Sequence, residues 1–569
     1  MTASFAGEGG ASPREIEALQ CALVGLLATA SVALLFVLRT ADDNRLVSWQ
    51  WVFAAGDLPA LVGVVALAVL LAFHASRRDW DGPYAAALIG ALGFGACLPF
   101  WAAPEAIVDA SRYFVQAKHL ATSGMGFFLA EWGRAIPAWT DLPLVPLLYG
   151  ALFSVAGEHR VVVQLLNSLL FAATLMLTCA LGSALWDRRT GLLAAVLLLG
   201  MPYLFTQIPL MLVDVAAMFL VALAMFAALA AVQRGGPALV AGAAAALALA
   251  LLAKYSAWIV LAAPLAFALH GGRGGARARL RRAGATLLGA ALLAGTFLLG
   301  KADVVAAQFA LLLDYQLPAL AGWQEGAAST FLFQIHPFVA LGAAASLALA
   351  IAARDARYFA LAAVVLPALA LGGYRIRYLV IVMPLLALMA AYGLCALRDA
   401  RLRQFVAGCA AGTALAVAMF GYLPFLRGTS AANLERAGAV LDALEGDAAD
   451  VIVIAEGQSA VNAAIAVPLL DLATRKRLVL RRDLSRLTPP PREVRERSPL
   501  RFTWELPDAP FFLGASAPRA PVVLVTDAAD AAAVGAAASR LARHVEVARL
   551  LRNDGVFRFQ TLVRIYAPT

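Results

Sequence analysis

The chain has 569 residues, of which 62% are hydrophobic and only 14% are charged. Soluble domains are about 45–50% apolar and about 25% charged, so this composition excludes a soluble globular protein and an intrinsically disordered chain. The net charge of +9 then indicates basic cytoplasmic loops rather than nucleic-acid binding.

Apolar runs long enough to cross a membrane follow one another along most of the chain. A spanning helix needs about 20 mostly apolar residues. The stretch 142–156 is short and contains Pro143 and Pro146, so we expect it to lie at the outer interface or to re-enter without crossing. The remaining runs predict thirteen spans, at 17–38, 58–75, 84–102, 161–185, 190–207, 210–232, 237–252, 255–270, 283–300, 329–352, 357–372, 378–396 and 403–425.

Arginine-rich loops set the predicted orientation. With thirteen spans these loops fall on one side of the membrane, and they contain Arg77, Arg78, Arg188, Arg189, Arg234, Arg273, Arg277, Arg279, Arg281, Arg282, Arg354, Arg357, Arg398, Arg401 and Arg403. Because basic loops stay in the cytoplasm, the N-terminus is predicted inside and the C-terminus outside. Three outer loops then stand out, at 103–160, 206–214 and 301–328.

The composition changes after Arg427. The stretches 451–456, 478–480, 522–526 and 557–566 are typical of strands, and Ala-rich helical stretches separate them. They predict a small α/β domain at 427–569 on the outer side, within ordinary domain size. The predicted fold class is therefore an α-helical polytopic membrane protein with a small C-terminal α/β extramembrane domain.

Charged residues gather at the outer ends of the predicted helices. Charges at membrane depth are costly and usually functional. A carboxylate can take a proton from a hydroxyl or amine, while Lys and Arg hold phosphate, Arg as a bidentate fork. The set suits a substrate with an anionic leaving group, and it consists of Asp109, Asp214, Lys254, Arg375 and Arg377.

At these residues the chain resembles the GT-C glycosyltransferases, in particular the bacterial branch of aminoarabinose lipid A transferases and protein O-mannosyltransferases. The family's D-E-x-R-Y motif and later A-S-G are matched by Asp109-Ala110-Ser111-Arg112-Tyr113 and Thr122-Ser123-Gly124. Its second acidic position is matched by Asp214. The family's cytoplasmic turn is matched by 188–194. Its T-K-G-x-x-A-L stretch is matched by Ala253-Lys254-Tyr255, and its R-Y-L…P helix is matched by Arg377-Tyr378-Leu379…Pro384.

The match departs from the family at two motifs. Ala110 replaces the second acid of the doublet, and Asp141 stands before Leu142-Pro143 where the family often has Lys or His before Pro. Contacts to the donor or the acceptor are expected to differ there. The resemblance implies a GT-C-like catalytic module at 84–426 with its outer loop at 103–160, and two extra helices in 1–83 precede it.

The resemblance implies an inverting glycosyltransferase of the bacterial inner membrane. It would transfer a hexose or pentose from a polyprenyl-phosphate donor, on the periplasmic side, to a lipid, glycan or protein acceptor. Such a donor needs no nucleotide, which fits the lack of a P-loop or dinucleotide fingerprint. No cofactor is expected, and the sequence offers no clear metal-ligand cluster.

The resemblance also assigns roles to individual residues. Asp109 and Asp214 are the predicted catalytic carboxylates, with Asp109 as the base that activates the acceptor. The predicted ligands of the departing lipid phosphate are Lys254, Arg375, Arg377 and Tyr378. The candidate substrate contacts are Arg112, Tyr113, Glu131 and Asp141.

Each residue also has a structural interpretation. Asp109 and Asp214 suit helix capping, Lys254 suits reaching the headgroups, and Arg375 and Arg377 suit interfacial anchoring. For the whole chain, the alternatives are a transporter or flippase without transferase chemistry and a non-catalytic scaffold whose outer domain binds a partner. A transporter is expected to place its charges along a path through the membrane.

Overall fold

The computed structural model describes residues 13–44, 46–269, 275–321, 325–372, 375–455, 461–498, 500–527, 535, 537–552 and 561–569. Helices make up most of this part up to residue 442, and the β-sheet lies beyond it. The arrangement agrees with the predicted fold class, a polytopic helical protein with a small C-terminal α/β domain.

The helices of the membrane part begin where side chains satisfy free backbone N–H groups. Asp57 accepts from Ala60 at 3.1 Å, and Asp187 accepts from Thr190 at 2.9 Å, as expected of residues favoured at N-caps. In chain order these helices are α1 (Pro13–Val37), α2 (Trp49–Ala55), α3 (Leu58–Ala75), α4 (Ala85–Cys97), α5 (Asp109–Glu131), α6 (Leu144–Ala156), α7 (Arg160–Leu185), α8 (Arg188–Leu199), α9 (Pro202–Gln207), α10 (Asp214–Arg234), α11 (Pro237–Ala253), α12 (Ala262–Leu269), α13 (Ala276–Gly300), α14 (Ala302–Leu311), α15 (Leu317–Ala321), α16 (Pro337–Ala353), α17 (Ala356–Gly372), α18 (Ile376–Leu379), α19 (Met383–Leu394), α20 (Ala400–Val417) and α21 (Leu423–Gly428).

Within the described ranges, eight helical segments are long and apolar enough to cross a membrane: Glu17–Val37, Leu58–Ala75, Ala85–Ala102, Arg160–Leu185, Asp214–Arg234, Ala276–Gly300, Ile376–Leu394 and Ala400–Gly428. Shorter apolar helices cover four more of the predicted spans and the stretch 142–156. The predicted span 190–207 is divided into α8 and α9, because Pro202 lacks an N–H and starts a new helix. The total of thirteen spans stays a prediction.

Two glycines allow α7 and α8 to pack closely. A Cβ atom on Gly191 would collide with the carbonyl oxygen of Cys179, and one on Gly182 would lie 2.7 Å from the Cα of Gly191. Backbone atoms cannot yield as a flexible side chain can, so a larger residue would separate the helices. The turn that resembles the family's cytoplasmic motif thus has a packing function in this fold.

The C-terminal domain combines one sheet with short helices. Its helices are α22 (Ala431–Asp442), α23 (Ala463–Asp471), α24 (Arg492–Arg497), α25 (Phe502–Glu505) and α26 (Ala538–Leu541). Its strands are β1 (Ala448–Ala455), β2 (Arg477–Leu480), β3 (Arg486–Leu487), β4 (Val522–Thr526), β5 (His544–Leu550) and β6 (Leu562–Pro568).

The sheet has the order β2-β1-β4-β6-β5, and β3 also pairs with β1. The β1 pairings are parallel, whereas β6 runs antiparallel to β4 and β5. Each of the four predicted strand stretches overlaps an observed strand, although residues 456 and 557–560 lie outside the described part. Two strands were not predicted from the sequence. They are β3, which has only two residues, and β5, whose side chains alternate between half-buried and exposed.

The C-terminal domain lies against α5, the helix that begins at Asp109. Lys118 of α5 donates to Asp471 of α23 at 2.6 Å and to Glu158 at 2.6 Å. Arg160 at the start of α7 donates to Glu435 of α22 at 3.2 Å. The domain is therefore attached at the end of the bundle where α5, α7 and α10 begin.

We expect this domain and the basic loop before α13 to lie on opposite sides of the membrane. The reason is the positive-inside distribution of arginine. Fusions at Ser516 and at Arg277 test this directly. They use one reporter enzyme that is active only in the periplasm and a second that is active only in the cytoplasm. Fusions that report the same side would contradict the predicted topology.

Candidate active site

A cavity of about 130 Å³ opens where α5, α10, α11 and α18 come together. Most of the charged residues singled out in the sequence analysis line it. Its walls are formed by Asp109, Arg112, Tyr113, Trp139, Thr140, Asp141, Leu142, Val213, Ala253, Lys254, Tyr315, Gln316, Ala319, Arg375, Arg377, Tyr378 and Phe502.

A chain of ion pairs connects the two predicted catalytic carboxylates. The Arg377 guanidinium donates from Nε to Asp214 Oδ2 at 3.0 Å and from Nη1 to Asp109 Oδ2. Lys254 Nζ donates to the other oxygen of Asp214 at 2.5 Å. One arginine fork thus joins two carboxylates whose positions in the chain are far apart.

The two carboxylates differ in their access to the cavity. The side chain of Asp109 is 23% exposed, whereas that of Asp214 is fully buried. Each is the first residue of its helix and therefore lies one position after the N-cap. The N-cap residues themselves, Val108 and Val213, form no side-chain cap hydrogen bond. Their contacts therefore favour ion pairing over the capping interpretation, and the positive ends of α5 and α10 stabilise both charges.

Asp109 is ionised in this environment. Burial would raise the pKa of its carboxyl, but the facing Arg377 and Arg112 guanidinium groups outweigh burial and hold that pKa well below its usual range. The Arg112 Nη1 atom lies 3.4 Å from Asp109 Oδ1. The resting site therefore presents a carboxylate that can accept a proton once its arginine partners are drawn elsewhere.

Asp141 is a third carboxylate of the site. Arg112 donates to it in bidentate fashion, from Nε at 2.5 Å and from Nη2 at 3.0 Å. Gln116 Nε2 donates to the same carboxylate at 3.0 Å. Asp141, which departs from the family's Lys or His, is thus matched by a buried arginine, and this pair fixes the Arg112 guanidinium beside Asp109.

The cationic side of the cavity faces these carboxylates. Extended backbone at Lys254 ends α11, and its ammonium lies 5.0 Å from the centre of the Tyr378 ring. The Tyr378 hydroxyl accepts from Gln316 Nε2 at 2.7 Å. Arg375 precedes α18 and also lines the cavity. Three cations and a hydroxyl therefore surround a space that suits a phosphate.

The predicted residues divide into three groups by position. Asp109, Lys254, Arg375, Arg377 and Tyr378 line the cavity, as do the candidate contacts Arg112, Tyr113 and Asp141. Asp214 lies directly behind it. Glu131 is not brought to the cavity, because it lies at the far end of α5, beyond a break in helical geometry at Gly124.

Several residues in or beside the cavity were not predicted from the sequence. Tyr315 and Gln316 belong to a π-helical turn at 312–316, a feature often found at functional sites. Glu325 accepts the Ile376 N–H at 2.8 Å and supports the helix start that carries Arg377. Phe502 comes from the C-terminal domain, and its ring centre lies 4.4 Å from Arg112 Cζ.

Trp139 occupies a strained position in the wall of the cavity. Its φ angle of 49° places it in the left-handed region, which non-glycine residues seldom adopt except where the surroundings enforce it. Its ring packs edge-on against Tyr315, with 5.8 Å between ring centres. This packing holds the Trp139 ring in the wall of the cavity.

The carboxylates of the site are neutralised by arginine and lysine. Across the described ranges, no group of three His, Cys, Asp or Glu side chains is placed to hold a metal ion. The arrangement can place a carboxylate base next to an acceptor and hold an anionic leaving group with cations.

Comparisons with known proteins agree with this architecture. Residues 140–300 match the family model of dolichyl-phosphate-mannose-protein mannosyltransferases. The structure is similar to that of ArnT from Cupriavidus metallidurans bound to undecaprenyl phosphate, with a TM-score of 0.53 and 13% identity over 84% of this chain and 97% of ArnT. The apo state of ArnT gives a TM-score of 0.52 and 12% identity over the same shares. No curated protein matches the chain by sequence.

The two kinds of match complement each other. The structural similarity extends over most of the chain, and at this identity it establishes the fold. The family model covers the segment from the end of the first outer loop to the end of α13. The family model supports a glycosyltransferase, and the apolar helices together with the structural similarity indicate a multi-pass membrane protein. The fold of this chain is therefore that of the GT-C glycosyltransferases, the superfamily that its motifs resemble.

Proposed function

We propose that the chain transfers a sugar from a polyprenyl-phosphate donor to an acceptor at the periplasmic face of a bacterial inner membrane. The observation that carries this proposal is the shared cavity, in which an accessible carboxylate, Asp109, faces Lys254, Arg375 and Arg377. ArnT, which has a similar fold, is known with undecaprenyl phosphate bound.

The cations provide the site for the donor phosphate. Lys254 and Arg377 already bind Asp214, so their charged groups are held at fixed positions before a donor arrives. Charge on the phosphate grows as the bond between the sugar and the phosphate breaks, and pre-positioned cations stabilise that charge most at the transition state. Arg375 and the Tyr378 hydroxyl complete this side of the cavity.

Asp109 acts as the base. The acceptor oxygen or nitrogen attacks the anomeric carbon, the bond from that carbon to the phosphate oxygen breaks, and polyprenyl phosphate leaves. The proton of the acceptor passes to Asp109. Attack from the face opposite the phosphate inverts the anomeric centre.

Donor binding prepares Asp109 for this step. In the resting site its negative charge is balanced by Arg377 and Arg112. A phosphate that draws Arg377 toward itself weakens one of these interactions and raises the proton affinity of Asp109. The base is thus strongest when the donor is in place.

Asp214 has a positioning role in this scheme. Its side chain is fully buried, and each oxygen binds one cation of the phosphate site. A carboxylate without access to the cavity cannot reach the acceptor. It sets the distance between Lys254 and Arg377 and keeps both charged.

The test uses the purified full chain in liposomes whose outer leaflet alone contains a synthetic undecaprenyl-phosphate hexose or pentose, with cell-envelope lipid, glycan or peptide fractions as acceptors. A membrane-impermeant oxidant of exposed sugars reports which leaflet contains the donor. Mass spectrometry follows the donor and the products. We expect free undecaprenyl phosphate to appear together with a sugar-modified acceptor. Movement of intact donor between leaflets without cleavage would replace the proposal with a flippase, and neither cleavage nor movement would favour a scaffold.

A further inference from the structure

A basic hollow of about 540 Å³ lies at the end of the bundle opposite the active-site cavity, where α3 ends and α8 and α20 begin. Five arginines line this arginine hollow together with two aspartates, Asp79 and Asp81. The arginines come from three separate segments of the chain, and they are Arg77, Arg78, Arg189, Arg401 and Arg403.

The arginine hollow has positive charge that its own acidic groups do not balance. Arg189 pairs with Asp81 at 3.0 Å, and Arg401 pairs with Glu17. Among the residues with described positions, Arg77, Arg78 and Arg403 form no ion pair, and Asp79 offsets part of their charge. A concave site with this balance attracts an anion.

An apolar groove of about 570 Å³ adjoins the arginine hollow between α1, α3 and α20. Arg77 and Arg401 line both the hollow and the groove. Their guanidinium carbons lie 4.6 and 5.0 Å from the centre of the Phe73 ring, which holds them at the boundary. The rest of the groove wall is largely apolar and includes Cys21, Ala22, Gly25, Val69, Leu70 and Phe405.

We propose that the arginine hollow and the apolar groove together bind one anionic phospholipid, with its phosphate near Arg77 and Arg401 and an acyl chain in the groove. Arginines in cytoplasmic loops are expected in any membrane protein, and they alone would not define a site. The continuous apolar groove is the second element, since a free phosphate has no use for it. Basic pockets between helices at the cytoplasmic surface are suited to anionic headgroups.

The two N-terminal helices that precede the GT-C-like module acquire a function from this site. The α1 and α3 helices supply most of the groove, and α20 belongs to the module. A lipid bound between them joins the extra helices to the module. The site lies far from the cavity that contains Asp109, so it does not depend on the proposed transferase activity.

Native mass spectrometry of the full chain in detergent tests the proposal, with phosphatidylglycerol as the anionic probe and phosphatidylcholine as the zwitterionic one. We expect preferential retention of one phosphatidylglycerol. The double variant Arg77→Gln/Arg401→Gln, which removes the two arginines placed at the phosphate, should weaken that retention by about five- to thirty-fold, given the usual contribution of each basic residue near a membrane surface. The matched control Arg277→Gln/Arg281→Gln removes the same charge from another basic segment and should bind like the wild type.

A groove variant separates a lipid from a free phosphate. Ala22 is exposed in the groove, and Ala22→Phe should block the acyl chain and reduce phosphatidylglycerol retention while leaving the arginines in place. Competing inorganic phosphate should have little effect. Equal loss in both arginine double variants, no loss in Ala22→Phe, or displacement of the lipid by inorganic phosphate would each overturn the proposal.

Discussion

Asp109→Asn is expected to lower kcat for sugar transfer by about 10²–10⁴-fold, the usual contribution of a general base. The amide has nearly the shape of the carboxylate but cannot take the acceptor's proton. Donor affinity should be preserved, because Lys254, Arg375 and Arg377 remain. The measurement is kcat and KM for a polyprenyl-phosphate sugar at saturating acceptor.

The variant should fold, because no cation of the site loses its last partner. Arg377 keeps Asp214, and Arg112 keeps both oxygens of Asp141. The control is Asp303→Asn, which changes an aspartate of the predicted outer surface whose side chain is 67% exposed. Thermal stability in detergent should be similar for both variants. A kcat close to that of the wild type for Asp109→Asn would exclude Asp109 as the base.

The charged residues of the site could be predicted because charges at membrane depth are costly, rare and usually functional. Asp109, Lys254 and Arg377 are far apart in the chain, and only the predicted alternation of spans places them at the same membrane surface. The sequence gives no direct sign that Arg377 joins Asp109 to Asp214. That contact depends on how α5, α10 and α18 pack, and packing is decided by the whole bundle.

Other parts of the site lay beyond the sequence analysis for physical reasons. Phe502 reaches the cavity from a domain with a different composition, and its arrival depends on the docking of that domain against α5 through Lys118 and Asp471. Glu131 shares the first outer loop with Asp109 but lies at the other end of α5. Two residues of the same predicted loop can therefore lie far apart when that loop contains a long helix.

Arg377→Lys is expected to weaken donor use by about ten- to a hundred-fold, because a hydrogen bond to a charged group contributes roughly 1.5–3 kcal/mol. The side chain of Arg377 is only 7% exposed and binds two carboxylates through different nitrogens. A lysine keeps the charge but presents a single point of contact. It cannot hold both Asp109 and Asp214 and also offer a fork to the donor phosphate, so kcat/KM for the donor should fall. Most of the loss should lie in kcat, because the charge on the phosphate grows as the transition state is reached.

The matched control is Arg134→Lys, the same substitution at a 62% exposed side chain of the first predicted outer loop. Initial rates are measured while the concentration of polyprenyl-phosphate sugar is varied, and expression and thermal stability in detergent are checked for both variants. A membrane anchor needs only positive charge and reach, so an anchoring role predicts that both variants behave like the wild type. That result would move the donor phosphate away from Arg377 and leave Lys254 and Arg375 as its ligands. A fall in kcat/KM for the donor confined to Arg377→Lys would place the arginine fork on the phosphate.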